Sequence, residues 1–263
     1  MRRHIRSCPR RIYHLRHAMH RSVLVAFDFD HTIADNNTDI VARKLLPKEK
    51  LPDSVKDLYR SNGWITYMGK IFELLHTNSI GTEQIKSAIA DIPVVPGVET
   101  LLKELHSRGC EIIIISDSNA LFIGEWLRNK RLSHVVTETF TNPAEIDGDG
   151  LIKLGMYHVQ DSCQLSTVNL CKGQILEDYV KKRADEGTRF DHIAYVGDGK
   201  NDLCPILRLS ENDVAFPRKE YVLVKMLNDT ENRGLPKVQA RVFPWSDGLQ
   251  ILRTLEKEIG LCS

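Results

Sequence analysis

The feature that most constrains the fold is a short apolar run that ends in two carboxylates. Residues 23–27 are all apolar, and Asp28 and Asp30 follow them at once. Such a run is typical of a strand buried on both faces of a parallel sheet. That strand would deliver both acids to the carboxyl edge of the sheet, where open α/β sheets bind their ligands. We therefore expect an α/β fold with a site at this edge.

The spacing of Asp28 and Asp30 also constrains the chemistry. Side chains two apart on an extended segment share a face, so the two carboxylates repel one another. A metal ion between them, or a proton on one of them, relieves that repulsion. Taken alone, the pair fits a solvated turn starting at Asp30 as well as it fits a site.

Composition narrows the class of protein. The 263 residues, 42% hydrophobic and 27% charged, suit one substantial core with a smaller appended unit. A net charge of +1 argues against nucleic-acid binding. No apolar run approaches the ~20 residues that span a bilayer. Six scattered cysteines without a preceding secretory signal indicate reduced thiols and an intracellular, cytoplasmic protein.

Residues 1–22 differ from the rest of the chain, because they contain seven Arg, four His and no acid. Such a segment fits a mitochondrial transit peptide. It equally fits a disordered basic tail, or an upstream start codon with Met19 as the working initiator. We favour the last two, because serines are few and no clean helical stripe is present, and we exclude this segment from the fold.

A helical unit is expected between the first strand and the rest of the core. The sequence predicts an amphipathic helix here, because apolar residues recur at the spacing of one helix face: Trp64, Tyr67, Met68, Ile71, Phe72 and Leu75. A second helix is predicted over 83–91 with Thr82 as its N-cap. The apolar stripe is expected to be core, with Trp64 and Tyr67 as candidates to face a substrate. We predict a small helical cap over 35–96, with hinges near 35–40 and 92–97.

The remaining pattern alternates helices and strands, which implies right-handed crossovers and a parallel sheet with helices on both faces. The core domain is thus expected over 23–34 and 97–263. Strands are predicted at 110–115, 134–141, 193–196 and 213–216, with an edge strand at 238–243. Helices are predicted from Val98, from Lys172 and over 247–259, and a hairpin turn over 147–150.

Three of these strands end in polar residues. The first strand is followed by Asp28 and Asp30. The strand predicted at 110–115 is followed by Ser116 and Asp117, and the strand predicted at 193–196 is followed by Asp198 and Asp202. Carboxylates without thiolates or imidazoles suit Mg²⁺, which shares its coordination sphere with substrate phosphate. One carboxylate, Asp28, could attack phosphorus, while a neutral Asp30 protonates the leaving oxygen. Positive charge from Lys172 and a hydroxyl from Ser116 would bind the phosphoryl oxygens.

Four motifs in this order resemble those of the haloacid dehalogenase superfamily: Asp28-Phe29-Asp30-His31-Thr32, Ser116, Lys172 and Gly197-Asp198-Gly199-Lys200-Asn201-Asp202. The second Asp marks its phosphohydrolase branch. More closely, residues 22–260 resemble the family of phosphoethanolamine/phosphocholine phosphatase and pyridoxal phosphate phosphatase. Supporting stretches include 58–60, 67–72, 140–143 and 215–219.

The resemblance implies a Rossmann-like core and roles for particular residues. Asp28 would be nucleophile and Mg²⁺ ligand, and Asp30 would be the proton donor and bind Mg²⁺ through its backbone carbonyl. Asp198 would be the third ligand, with Asp202 assisting through contacts around the metal. Asp39 and Asp117 match the positions that the family uses for substrate.

The chain departs from the family in one loop. The family tends to carry His-x-His-Ser-Cys-x-x-Cys-Pro, whereas Asp161, Ser166 and Thr167 replace the second His, the second Cys and the Pro here. A Zn²⁺ site usually needs four nitrogen or sulfur ligands. His158, Cys163 and Cys171 leave such a site one ligand short, so the sequence does not support a structural zinc in this loop.

The leading hypothesis is a Mg²⁺-dependent phosphomonoesterase acting on a small phosphorylated metabolite. Its substrate stays open between pyridoxal 5′-phosphate, with a slight preference, and phosphoethanolamine or phosphocholine. The alternatives are a phosphotransferase or phosphomutase of the same superfamily, and a phospho-ligand-binding protein without turnover. The sequence does not determine the oligomeric state.

Overall fold

The computed structural model describes residues 22–58 and 63–261, and its centre is a six-stranded parallel sheet. The strand order is β3-β2-β1-β6-β7-β8, so β1 lies in the middle. A separate antiparallel hairpin pairs β4 with β5. The strands are β1 (Val23–Phe27), β2 (Glu111–Asn119), β3 (Glu138–Asn142), β4 (Ala144–Ile146), β5 (Ile152–Leu154), β6 (His192–Gly197), β7 (Val214–Pro217) and β8 (Arg241–Val242).

Helices cover both faces of this sheet. They are α1 (Thr38–Lys44), α2 (Asp53–Lys56), α3 (Trp64–Thr77), α4 (Thr82–Ala90), α5 (Val98–Ser107), α6 (Ala120–Asn129), α7 (Lys172–Asp185), α8 (Leu203–Ile206), α9 (Val222–Leu227) and α10 (Gly248–Ile259). Among the described residues, no helix is long and apolar enough to cross a membrane.

The side chains of β1 alternate between two hydrophobic clusters. Val25 and Phe27 pack with α5, α6 and α10, whereas Leu24 and Ala26 pack with α7, α8 and α9. All five residues of β1 are buried, as expected for a strand covered on both faces. The predicted three-layer α/β core is therefore confirmed, and β1 is held rigidly at its centre.

The chain between β1 and α5 forms helices α1 to α4 and contributes no strand to the sheet within its described part, residues 35–58 and 63–96. Its two ends run side by side: the Asp35 amide donates to the Pro93 carbonyl, and the Val95 amide to the Ile33 carbonyl. The apolar stripe of α3 is buried from Tyr67 to Leu75. This arrangement agrees with the predicted helical cap, whose independence as a domain stays a prediction.

Several boundaries differ from those predicted. Thr82 is the first residue of α4 and not its N-cap, because its hydroxyl donates to the Gly150 carbonyl of the β4–β5 turn. Strand β3 is shifted to 138–142, and β8 is confined to 241–242. Helix α6 was not predicted; the Asn119 side chain caps it by accepting from the Phe122 amide.

Some of the predictions concern residues outside the described ranges. They include the character of the basic segment, of which residues 1–21 are not described, and the stretch at Tyr59 and Arg60. Cys262 also lies outside them, as does Cys8.

Candidate active site

The topology brings the three predicted strand ends together. Because β1 lies between β2 and β6, the residues that follow these strands meet at one edge of the sheet. The Asp28 amide donates to the Val196 carbonyl over 2.9 Å, which continues the β1–β6 pairing up to the first acid. The site thus rests on β1, which is buried at every position, and on the two strands that flank it.

A buried lysine connects two of the acids. Lys172, the first residue of α7, places its Nζ 2.6 Å from Asp28 Oδ1 and 2.8 Å from Asp202 Oδ1. Burial lowers the pKa of Lys172, but the neighbouring Asp202 and Asp28 outweigh this and hold it well above its usual range. Lys172 therefore stays charged and fixes the position of the Asp28 carboxylate.

Both carboxylate oxygens of Asp202 are occupied by protein donors. Oδ1 accepts from Lys172 and from the Tyr195 hydroxyl, and Oδ2 accepts from the backbone amides of Asp198 and Gly199. Asp202 is consequently suited to shape the loop after β6 and to position Lys172 rather than to offer a free ligand oxygen.

The acids form a candidate site for a divalent cation. Carboxylate oxygens of Asp28, Asp198 and Asp202 lie within 4.8 Å of one another, and all three residues are buried. Burial raises the pKa of Asp198 to about 7, with the Asp202 charge adding to this effect. Burial likewise raises the pKa of Asp28, against the opposing effect of Lys172. Since Lys172 carries one charge against three carboxylates, the cluster favours binding a hard cation.

The buried surroundings of Asp30 favour its protonated form. Its carboxylate accepts from the Thr38 amide at 3.0 Å and the Thr38 hydroxyl at 3.2 Å. Burial raises the pKa of Asp30 well above its usual range, and the charge of Asp39 raises it further, although Thr38 opposes both effects. A neutral carboxylic acid beside the Asp28 carboxylate is the arrangement that general acid catalysis requires.

Ser116 and Asp117 occupy different depths near the end of β2. Ser116 is fully buried, and its hydroxyl oxygen accepts from the Ser118 amide at 3.2 Å. Asp117 is exposed, and Asn201 Nδ2 donates to its Oδ2 at 3.0 Å. The hydroxyl hydrogen of Ser116 remains a possible donor to a phosphoryl oxygen, which is the role predicted for it.

A cavity of about 850 Å³ opens directly onto the acids. The residues that line it include Asp28, Asp30, Asp117 and Asp198. The loop over 164–167 forms part of the wall, and the chain around Met226 to Leu235 completes it. The volume suits a small phosphorylated metabolite.

The structure does not bring Asp39 into this cavity. Asp39 lines a separate cavity of about 270 Å³ with Trp64, and Trp64 Nε1 donates to Asp39 Oδ2 at 2.8 Å. Asp39 Oδ1 is buried and has no hydrogen-bond partner among residues 22–58 and 63–261. Burial raises the pKa of Asp39 to about 7, although the Trp64 hydrogen bond lowers it. The predicted substrate role of Asp39 thus depends on its charge near Asp30 and Asp117 rather than on a shared cavity.

Three residues around the site were not predicted. Thr32 donates to Asp198 at 3.4 Å, and the buried Tyr195 hydroxyl donates to Asp202. Arg218 donates to the His31 carbonyl and, at 2.9 Å, to Asp35, while its guanidinium lies over the rings of Tyr221 and Trp245. A signal for Tyr195 was present in the sequence, because its hydroxyl is the polar group of the otherwise apolar run over residues 193–196. The residues next to Arg218 in the sequence did not indicate its contacts with His31 and Asp35.

Comparison with known proteins identifies the family of the chain. Residues 23–259 match the model of the family described as "Putative Phosphatase". The chain is 35% identical to the mouse pyridoxal phosphate phosphatase PHOSPHO2 over 237 residues, which cover 89% of this chain and 97% of that protein. It is 32% identical to the human phosphoethanolamine/phosphocholine phosphatase over 241 residues, which cover 91% and 90% of the two chains.

Solved structures share the fold. A phosphoserine phosphatase in apo form aligns with a TM-score of 0.57 at 21% identity, covering 88% of this chain and 98% of its own. Cytosolic 5′-nucleotidase IIIB bound to cytidine aligns with a TM-score of 0.53 at 14% identity, covering 92% and 89%. The match to the family model and the identities of 32–35% to its named relatives show that the chain belongs to this phosphatase family.

Proposed function

We propose that the chain is a Mg²⁺-dependent phosphomonoester hydrolase that works through an aspartyl-phosphate on Asp28. The observation that carries the proposal is the contact of Lys172 with both Asp28 and Asp202, next to Asp198 and to Asp30, whose pKa is raised by burial. Asp28, Asp198 and the backbone carbonyl of Asp30 would hold Mg²⁺, with Asp202 positioning the loop. Mg²⁺ would neutralise charge on the transferring phosphoryl group.

The first chemical step forms the covalent intermediate. An Asp28 carboxylate oxygen attacks phosphorus while the ester P–O bond breaks, and Asp30 gives its proton to the leaving oxygen. Lys172 keeps Asp28 oriented and, with the Ser116 hydroxyl, stabilises negative charge on the phosphoryl oxygens. The alcohol product leaves, and the phosphoryl group remains on Asp28.

The second step returns the enzyme to its starting state. Asp30, now a carboxylate, takes a proton from a water molecule that attacks phosphorus, and the bond between phosphorus and Asp28 breaks. Inorganic phosphate leaves, and Asp30 is again protonated. The same residue thus acts as acid and then as base, which its raised pKa supports.

For the substrate we propose pyridoxal 5′-phosphate or phosphoethanolamine/phosphocholine, the compounds named for the similar proteins. Asp117, exposed in the cavity, and Asp39 would add negative charge near a cationic leaving group. Identities of 35–36% to the pyridoxal phosphate phosphatases, against 32–33% to the phosphoethanolamine/phosphocholine phosphatases, support the slight preference for pyridoxal 5′-phosphate.

The test combines one substitution with a substrate panel. With Mg²⁺ present, Asp28→Asn is expected to lower phosphate release by at least about 10³-fold, whereas Asp53→Asn, a change at an exposed acid of α2, leaves it unchanged. Retained turnover in Asp28→Asn would refute the nucleophile. If none of the three phosphates is hydrolysed better than a generic aryl phosphate, the substrate assignment fails.

A phosphotransferase would be detected in the same assay. Added alcohol acceptors would then receive the phosphoryl group in place of water, and release of the organic product would exceed release of phosphate. A hydrolase releases the two in equal amounts at every acceptor concentration.

A further inference from the structure

Three cysteine thiols form a cluster behind the wall of the active site. Cys163 Sγ lies 3.4 Å from Cys204 Sγ, and Cys171 Sγ lies 3.7 Å from the same atom. All three sulfurs lie within 4.8 Å of one another. Cys171 and Cys204 are buried and Cys163 is half-buried, while the remaining cysteine of the described chain, Cys110, is not part of the cluster.

The sulfur separations suit a shared metal ion. With Zn–S bonds of about 2.3 Å, two thiolates on a tetrahedral ion lie about 3.8 Å apart. The observed distances of 3.4 and 3.7 Å lie close to that value, whereas the sulfurs of a disulfide lie only about 2.05 Å apart. Thiolates favour soft or borderline ions such as Zn²⁺ over Mg²⁺.

The surrounding chain is shaped to accommodate these sulfurs. A Cβ atom at Gly173, in the first turn of α7, would lie 2.6 Å from Cys204 Sγ and 2.6 Å from Arg208 Nε. Glycine at this position therefore allows the sulfur and the guanidinium to approach the helix. Arg208 Nη2 lies 3.8 Å from Cys171 Sγ, so its charge would offset the net negative charge of one Zn²⁺ with three thiolates.

A histidine lies beside the cluster. His158 Nε2 accepts the backbone N–H of Cys171 at 2.9 Å, so the imidazole adjoins the segment that carries one of the thiols. From the sequence alone, His158, Cys163 and Cys171 offer three ligands, one fewer than the four that a Zn²⁺ site usually needs. Cys204, contributed by α8 from more than 30 residues further along the chain, adds a third thiol to Cys163 and Cys171, whereas the Nε2 lone pair of His158 is used by the Cys171 amide.

We propose that Cys163, Cys171 and Cys204 bind one Zn²⁺ ion through their three thiolates. This site is distinct from the carboxylate cluster and does not depend on the proposed reaction. Its ligands come from the loop that walls the cavity, from the residue before Lys172, and from α8, which begins directly after Asp202. The ion would therefore join three segments that position active-site groups.

The experiment measures metal content of the reduced, full-length chain. After dialysis against buffer that contains Mg²⁺ but no added zinc, elemental analysis is expected to find about one Zn²⁺ per chain. Cys163→Ala, which changes a half-buried loop residue, and Cys204→Ala are expected to weaken Zn²⁺ binding by more than the roughly 10- to 100-fold that loss of an outer contact costs. Cys110→Ala, a buried cysteine elsewhere, keeps its zinc.

A spectroscopic measurement gives a second readout that does not use activity. Co²⁺ supplied in place of Zn²⁺ is expected to show thiolate charge-transfer absorption in the wild type and in Cys110→Ala, with a loss in Cys163→Ala. His158→Ala is expected to retain the thiolate band, because His158 Nε2 accepts the Cys171 N–H and is not one of the three sulfur ligands. Asp198→Asn, which alters the carboxylate cluster, is expected to bind Zn²⁺ or Co²⁺ at the thiol cluster as the wild type does.

The proposal would be overturned by any of three results. The wild type could fail to bind Zn²⁺ when the ion is added to the reduced chain. Cys163→Ala could retain as much zinc as Cys110→Ala. Alternatively, iodoacetamide could alkylate Cys163 equally fast with and without added Zn²⁺, which would show that the thiol is not a ligand.

Discussion

At the scale of single residues, the balance of charge around Lys172 determines how the site works. Its ammonium group is fully buried and contacts both Asp28 and Asp202. Removing one partner of such a buried pair leaves an uncompensated charge, which is far more costly than losing an exposed pair. Lys172 therefore has a structural role in addition to its role in catalysis.

Two substitutions in α7 test this role. Lys172→Met keeps the length of the side chain but removes its charge, and we expect a loss of roughly 3–5 kcal/mol in the free energy of unfolding together with loss of phosphatase activity. Lys182→Met, in the same helix, breaks an exposed pair with Glu138 and is expected to cost less than about 1 kcal/mol. Urea unfolding of both variants measures the difference. Equal losses would contradict the role assigned to Lys172.

At the scale of elements, the loop between β6 and α8 is fixed by the Asp202 carboxylate. Oδ2 of Asp202 accepts the amides of Asp198 and Gly199, so the loop folds tightly back on itself. A Cβ atom at Gly197 would lie 2.5 Å from the Asp202 carboxyl carbon. Glycine at this position is therefore required by the close approach of the carboxylate.

Gly197→Ala is consequently expected to displace Asp202 and Asp198 together. We expect destabilisation of about 1–3 kcal/mol and weaker Mg²⁺ activation of phosphatase activity. Gly69→Ala in α3 is the matched control, because a Cβ there meets no atom within 4 Å and alanine favours the helix by roughly 1 kcal/mol. Thermal unfolding and Mg²⁺ titration of both variants check the prediction, and tolerance of Gly197→Ala in both measurements would contradict it.

At the scale of the whole molecule, buried acids make stability depend on pH. Burial raises the pKa of Asp39 and of Asp198 to about 7, whereas an unfolded Asp titrates near 3.9. The folded chain thus holds these protons more tightly than the unfolded chain. Their contribution to stability is present at low pH and is lost as pH rises from about 4 through about 7. Burial lowers the pKa of His31 and of His158, which acts in the opposite direction.

Comparison of variants separates these effects. Between pH 5 and pH 8 without Mg²⁺, Asp39→Asn is expected to gain stability relative to the wild type by about 1 kcal/mol or more. Added Mg²⁺ is expected to stabilise the wild type more at pH 8 than at pH 5, because the cation needs Asp198 ionised. Asp198→Asn should lose most of this Mg²⁺ response, and Asp39→Asn should keep it. Urea unfolding at the two pH values measures both quantities, and a Mg²⁺ response that is larger at pH 5 would contradict the account.

Local patterns predicted most of the fold and the centre of the site. Strand β1, the stripe of α3 and the acids after β1 and β6 were found from runs and spacings within a few residues. The parallel topology then implied that Asp28, Asp198 and Lys172 would meet, and they do. The prediction needed only the rule that such strands end at a shared edge.

What the sequence did not predict depends on contacts between distant segments. The cavity that holds Asp39 is separate from the one that holds Asp28, because Trp64 from α3 closes over the Asp39 carboxylate. Cys204 joins Cys163 and Cys171 only through the packing of α8 against α7. The sequence predicted Thr82 as an N-cap, but its hydroxyl donates to the Gly150 carbonyl in the β4–β5 turn. No short-range pattern contains these pairings.

The most direct test of the central claim is to trap the phosphorylated enzyme. The chain is acid-quenched during turnover of pyridoxal 5′-phosphate with Mg²⁺, reduced with borohydride and digested for mass spectrometry. An aspartyl-phosphate is reduced to homoserine, and the account predicts homoserine at position 28 and its absence in Asp28→Asn. Homoserine at Asp30 or Asp198 instead, or undiminished turnover by Asp28→Asn, would contradict the account.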